Sequence, residues 1–402
     1  MAAGQSTRGR RRMATDAEPP AARRALLHHA LACLRRTTAS LNLTYPNPSD
    51  AWAHYDELRR VMAPWLQSAN GFRRHGASGY SGPWIENVWI SHFERLAERA
   101  RARRRGLHTV FGPYVPLLLP FTDHWVRDGG PAGYRYPIGF LTALRSVLRP
   151  RVPYIAVSQN DEGLTGKDEL PMSSIPNVLV LSAGGYGHVP VPLLKQPEPP
   201  QPASAIRNRR LLVSYVGSLG NAPAALRARM KSTLADVSAE LSFEYLVAQG
   251  LSARWSALML PLVVERAVSY LAGKPSWRDV MANSRASLCP RGYGRSSYHL
   301  GETVQMGRVP VYVYSDTAWV PYERLFRRSV GYVSSIADLP LLLHRLFNVT
   351  HDELERRERR AAALRASHFT LPGVMLQISR FMLEPWDADL QCQRLPPSLR
   401  DA

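Results

Sequence analysis

Residues 287–314 read SLCPRGYGRSSYHLGETVQMGRVPVYVY. Apolar Ala286–Cys289 predicts a short strand and Val309–Tyr314 a second, with a glycine- and arginine-rich turn and a helix between them. Ser296 or Ser297 can cap the free N–H groups of that helix, and Gly307 stands where a left-handed C-cap residue belongs. Arg291, Gly292, Gly294, Arg295 and the two serines therefore gather at a helix N-terminus, beyond the carboxyl end of a strand. Unpaired N–H groups and the helix dipole favour an anion there, and two guanidiniums can grip a phosphate through paired N–H donors. Glu302, at least a turn into the helix, is out of place beside an anion unless it accepts hydrogen bonds from sugar hydroxyls. Together these parts suggest a site for a nucleotide-sugar diphosphate; a basic surface turn between strand and helix is the plainer alternative.

The string as a whole resembles the exostosin family of glycosyltransferases (family 47). Its members carry a C-P-x-G-Y segment, a serine-rich helix start, a glutamate and a G-x-V/I-P-V strand. Here these are Cys289-Pro290-Arg291-Gly292-Tyr293, Ser296-Ser297, Glu302 and Gly307-Arg308-Val309-Pro310-Val311. The first half of the chain matches only loosely. The resemblance implies a GT-B fold, an α/β architecture of two facing Rossmann-like domains with the donor nucleotide on the C-terminal one and the acceptor mostly on the other. It also implies an inverting transfer from a UDP-sugar to a glycan or glycoprotein hydroxyl; since arginines and helix N–H groups can stabilise the departing diphosphate, no metal is expected. Family members are commonly Golgi proteins with an N-terminal membrane helix. Glucuronic acid, N-acetylglucosamine, galactose, xylose and arabinose all occur as transferred sugars in or near the family.

Composition narrows less. With 402 residues, 45% of them hydrophobic, the chain can build two domains with proper cores. The formal net charge of +19 reads at first as a nucleic-acid binder, but only four of the 51 cationic residues are lysine (Lys167, Lys195, Lys231, Lys274), an imbalance that base composition alone can produce. The basic residues cluster in an N-terminal arm (Arg8, Arg10, Arg11, Arg12, Arg23, Arg24) and between Arg95 and Arg105, where a solvated helix end accounts for them. On charge alone polyanionic glycans and nucleic acids are equally open; the resemblance makes nucleic acid the weaker choice. Three cysteines (Cys33, Cys289, Cys392) do not make a disulfide framework, and nothing has zinc-ligand spacing. Cys289 reads as a small buried hydrophobe. Two glycosylation sequons, Asn42-Leu43-Thr44 and Asn348-Val349-Thr350, are about what chance yields. No apolar run reaches the roughly 18 residues of a membrane helix, so membrane association would need an anchor missing from this chain, or a different targeting device such as a transit peptide.

Along the chain, residues 1–40 read as a disordered or loosely helical basic arm, and helices follow at Trp52–Met62 and Ile85–Arg101. Short apolar strands at Tyr114–Leu119, Tyr154–Val157 and Val178–Leu181 each run into polar clusters, which predicts α/β units with a mainly parallel sheet. The first domain is assigned to 41–190. Proline-rich Val189–Ala203 reads as a stretch that holds no regular element, with a linker at 191–205. The second domain, 206–365, restarts with a strand at Leu211–Val216, a glycine turn and a helix opened by Pro223. The helices of 366–390 are expected to cross back onto the first domain, as the resemblance implies.

Candidate roles follow. Arg291 and Arg295 are assigned to the diphosphate together with Gly292, Gly294 and the N–H groups around Ser296 and Ser297. Glu302 is assigned to ribose or sugar hydroxyls, the plainer reading being a glutamate that stabilises the helix dipole. Tyr293 either stacks on the base or packs the loop. Gly217, with Gly220, would let backbone approach the donor phosphates. A single displacement needs a base for the acceptor proton, and Asp161 in SQNDEG is the first candidate, Asp123 in PFTDHW the second, with His124 and His188 behind them. Each of these also reads as a turn or capping residue. The pair Asp387-Ala388-Asp389 lies beside no glycine turn, so no metal site is assigned. The rival class is a catalytically inactive, basic glycan- or nucleic-acid-binding protein on the same fold.

Overall fold

The computed structural model describes residues 20–35, 41–44, 48–67, 84–128, 135–164, 170–195, 197–200, 202, 204–248 and 276–393. Arg8, Arg10, Arg11 and Arg12 of the basic arm lie outside them. The fold is α/β, with two parallel sheets as the alternation of strands and helices predicts.

The first half runs α1 (Pro20–Leu34), α2 (Pro48–Val61), α3 (Ile85–Ala102), single-turn α4 (His108–Phe111), β1 (Val115–Pro116), single-turn α5 (Phe121–Asp123), α6 (Phe140–Val147), β2 (Tyr154–Ser158), β3 (Val178–Ser182) and β4 (Val189–Pro190). Its sheet has the order β1-β2-β3-β4. Strands β2 and β3 are buried throughout, in register from Tyr154↔Val178 to Ser158↔Ser182, which is why they read as continuous apolar runs.

Prolines shape both edges of this sheet. The predicted strand Tyr114–Leu119 pairs only at Val115–Pro116. Val115 and Leu117 donate to Pro153 O and Ile155 O, so Pro116 falls at a position where no donor is needed, and Pro120 begins the next turn. The reading of Val189–Ala203 is also corrected. His188 and Val191, three residues apart, donate to Val180 O and Ser182 O across β4, so the ladder steps over Pro190, and Val189, Val191, Leu193 and Leu194 are buried. Sheet structure therefore extends into the proline-rich stretch.

Two further expectations change. The arm is not wholly loose: α1 buries Leu26, Ala30, Cys33 and Leu34, three to four residues apart on one face. And Cys33 is joined to Cys392 in a disulfide, Cα–Cα 5.5 Å, tying α1 to the C-terminal segment; Cys289 is free and buried.

The second half runs β5 (Leu211–Val216), α7 (Leu226–Leu241), β6 (Glu244–Ala248), α8 (Trp277–Ala282), β7 (Ser284–Pro290), α9 (Tyr298–Gln305), β8 (Pro310–Tyr314), single-turn α10 (Glu323–Leu325), β9 (Tyr332–Ser335), α11 (Leu339–Phe347) and α12 (His351–His368). Its strand order is β6-β5-β7-β8-β9. The chain begins at β5, steps to one side for β6, then crosses to the other for β7. That reversal, between β5 and β7, is where open parallel sheets leave a crevice at their carboxyl ends.

The last helix, α13 (Leu371–Leu383), returns to the first half. Phe381 meets His29 of α1 edge-on at 5.4 Å, and Met382 O lies where a Cβ on Gly112 would come within 2.2 Å of it. Gly112 has φ +56°, which with this contact leaves only glycine. A single apolar core spans the junction, taking in Leu300 and Val304 of α9 and Ile378 and Phe381 of α13 with the residues of β2 and β3.

Candidate functional site

Two turns flank the β5/β7 reversal: Gly217–Asn221 after β5 and Arg291–Ser297 after β7. Arg227 of α7, a buried arginine, ties them together. Its Nη1 donates to Ser218 O at 2.7 Å, while Nε and Nη2 donate to Arg291 O at 3.2 and 3.1 Å. Gly292 N–H donates to Ser296 O at 2.8 Å and closes the second turn, and Ser297 is the N-cap of α9, accepting from His299 N–H. Gly217 has no room for a side chain: an added Cβ would lie 2.5 Å from the Tyr215 hydroxyl, which donates to Ser218 O. Gly220 faces open space.

The two arginines converge on a residue the sequence reading passed over, Asp316, two residues past β8. Arg291 Nη1 bonds one carboxylate oxygen and Arg295 Nε the other, at 2.8 Å. Burial would raise the Asp316 carboxyl, but hydrogen bonds from Arg295, Thr317 N–H and Arg291, with the Arg291 charge, hold it below its ordinary value. Arg291 is buried and also shapes its own loop, Nη2 donating to Tyr293 O at 2.7 Å and Nε to Gly294 O at 3.1 Å. Arg295 reaches the first half, with Nη1 3.4 Å from Gly185 O and its guanidinium 5.4 Å from the Tyr186 ring centre. Tyr293 is 69% exposed, so it does not pack the loop and its ring is free for a planar ligand.

Asp161 meets this turn from the carboxyl end of β2, accepting the Gly294 N–H. The residue as a whole is exposed, while the surroundings of its carboxyl are enclosed enough to disfavour the charged form. That enclosure pushes the carboxyl up to about 6, against the pull of Gly294 N–H and the Arg291 charge. Packing here is backbone on backbone. A Cβ on Gly294 would lie 2.1 Å from Gly184 O and 2.4 Å from Asp161 Oδ1, and one on Gly185 would lie 2.3 Å from Arg295 N. Gly294→Ala is accordingly expected to cost about 1–3 kcal/mol in urea unfolding and to part the two halves at this point. Wild-type stability in that variant would show that the contact yields without cost.

Glu302 is already partnered. Lys195, from the middle of the proline-rich stretch, lies 3.1 Å from Oε1 and 4.9 Å from the Tyr298 ring centre, and His299 Nδ1 lies 3.4 Å from Oε2. Burial alone would raise this carboxyl; the His299 and Lys195 contacts outweigh it and hold the group at about 2. His299 is also 3.1 Å from Ser287 Oγ and has the Tyr215 and Trp277 rings about it.

The other base candidates lie inside the first half. Asp123 is 3% exposed and accepts from Asn87 Nδ2 at 2.7 Å. His124 Nε2 sits 2.7 Å from Trp65 O, and His188 Nδ1 accepts Val180 N–H. Beside Asp123 is a carboxyl the sequence reading missed: Glu86, in the first turn of α3 and wholly buried. It accepts from Thr122 N–H at 2.6 Å, from Thr122 Oγ1 and from Gln159 N–H at 3.1 Å. Burial first, then the nearby Asp123 charge, pushes Glu86 up to about 8 against those hydrogen bonds. Gln159 accepts Ile85 N–H and donates to the Tyr298 hydroxyl at 3.0 Å, so this network fixes the β2 end against α9. Asp389 pairs with His368 at 2.9 Å. Among the described residues the grouping with metal-ligand chemistry is His29, Cys33 and Cys392, two of which are bonded to each other.

No protein-family model and no curated protein matches the chain. Among solved structures, the crystal structure of TarM aligns with 64% of this chain at 8% identity and a TM-score of 0.35, covering 48% of TarM. A crystal structure of the GtfA/B complex aligns with 62% at 12% identity and a TM-score of 0.33, covering 46% of that chain. The matched part is thus under half the length of either, and likeness at these TM-scores carries no argument about activity. Among the described residues no helix is long and apolar enough to cross a membrane.

Proposed function

We propose that the chain is an inverting, exostosin-like glycosyltransferase that moves a sugar from a nucleoside diphosphate, with UDP as the preferred carrier, to a hydroxyl of a glycan or glycoprotein. The observation that carries the reading is the pair of turns at the β5/β7 reversal, joined by Arg227 and met by Asp161 from the other half. A diphosphate brings more negative charge than the single Asp316 carboxylate, so it can displace Asp316 from Arg295 while Arg291 goes on holding the loop. Tyr293 takes the base, and Glu302, oriented by Lys195 and His299, accepts from ribose or sugar hydroxyls.

In the reaction the acceptor oxygen bonds to the anomeric carbon as the bond from that carbon to the diphosphate oxygen breaks. Asp161 receives the acceptor proton, and Arg295 with the turn N–H groups stabilises the departing diphosphate, so the chemistry calls for no metal. A disulfide between Cys33 and Cys392 fits an oxidising lumen such as the Golgi.

Asp161→Asn is the direct test, with donor binding measured beside turnover. Loss of a general base is expected to lower turnover by about 10²–10⁴-fold, with UDP-induced thermal stabilisation kept. Near-normal turnover would remove Asp161 from the role. Salt-steep binding to heparin or DNA with no response to UDP would favour the inactive binding protein instead.

A further inference from the structure

The turn between α11 and α12 is only three residues long and consists of Asn348-Val349-Thr350. Each polar member has a structural duty. Asn348 caps the end of α11 and its Nδ2 donates to His344 O at 2.9 Å; Thr350 caps the start of α12, its hydroxyl accepting from Glu353 N–H at 3.3 Å. Capping alone would explain both residues. Three observations go beyond it. Asn348 is exposed, at a sharp surface turn. Leu341, seven residues earlier and so on the same face of α11, is 72% exposed, an apolar side chain on bare surface beside it. And Cys33–Cys392 is a disulfide, which persists in the compartments that also hold the machinery for attaching N-linked glycans.

From these we infer that Asn348 is an N-glycosylation site, the glycan covering the Leu341 face of α11. This does not depend on the chain's being a glycosyltransferase. In the attachment, Asn348 Nδ2 bonds to the anomeric carbon of an oligosaccharide carried on a lipid diphosphate. The bond from that carbon to the diphosphate breaks, the lipid diphosphate leaves, and Nδ2 gives up one proton. One hydrogen remains on Nδ2, enough for one hydrogen bond of the kind it makes to His344 O.

The test separates capping from modification through Thr350. Aspartate caps a helix as well as threonine but destroys the sequon, whereas serine preserves both. The full chain, produced in a eukaryotic cell, is expected to gain mobility on treatment with peptide N-glycosidase, with Asn348 converted to Asp in its peptide. Thr350→Ser keeps that response and Thr350→Asp loses it at position 348, while both retain the Cys33–Cys392 disulfide in non-reducing peptide maps. Unmodified Asn348 in a disulfide-bonded wild-type chain overturns the inference, and so does a chain recovered from cells with both cysteines reduced.

Discussion

Arg291→Ala is expected to abolish turnover, remove UDP-induced stabilisation and destabilise the fold by about 3 kcal/mol or more. The guanidinium is buried and spends its donors in three directions: on Asp316, on Tyr293 O and on Gly294 O. Truncation leaves those acceptors short of donors and frees the loop that presents Gly294 to the other half. Arg291→Lys should not rescue it, because an ammonium cannot reproduce a planar fork with partners on several sides. Arg295→Ala is the informative comparison, since Arg295 reaches Gly185 but does not brace the loop. It is expected to lose the response to UDP at a smaller stability cost. At a UDP concentration 100-fold above Kd the response should be about 2.7 kcal/mol in wild type. Equal stability losses in the two variants would show that Arg291 has no special part in shaping the turn.

Glu86→Ala should be as costly to the fold, about 3 kcal/mol or more, since it opens a cavity and leaves Thr122 N–H and Gln159 N–H buried without an acceptor. Glu86→Gln keeps an oxygen acceptor for one of the two backbone N–H groups and removes the titrating group, so it isolates the pH dependence. The pH dependence has a definite sign. With the folded carboxyl lifted from 4.5 to about 8, the native state keeps a proton across that window that the unfolded chain has released. The stability tied to this group is therefore complete below pH 4.5 and declines as pH rises toward 8. The stability difference between wild type and Glu86→Gln should shrink by about 1 kcal/mol per pH unit over that range. Urea unfolding at pH 5 and pH 8 measures it, and a difference that grows with pH would refute the burial account.

What could be read from the sequence follows the range of the interactions involved. Strands β7 and β8, helix α9 and its serine cap are local patterns, and residues 287–314 announce them. The anion-turn arginines were visible for the same reason. Their partner Asp316 was not, because it belongs to the loop after the next strand and reads as an ordinary turn aspartate. Glu86 reads as a first-turn glutamate stabilising its own helix dipole; only the distant Thr122 and Gln159 make it a buried hub. Proline misled at Pro190, where the ladder steps over the missing N–H and draws its donors from His188 and Val191. The bond between Cys33 and Cys392, 359 residues apart, leaves no trace in spacing.

The return of α13 and the closing of that bond fix an order of events during synthesis. The first half cannot finish its core until Phe381 and Met382 arrive, nor close its disulfide until Cys392 does. The second half has its whole sheet by β9 and waits only for the packing of α13 on α12 and the His368–Asp389 pair. At about 5–20 residues per second a ribosome needs roughly 10–40 s to make the stretch between Leu194 and Cys392. For that interval the growing chain exposes an open first half, missing the apolar helix that closes it. The part that emerges first is thus the last to fold, and a chaperone that shields the α1, α3 and α4 surface would act on it then.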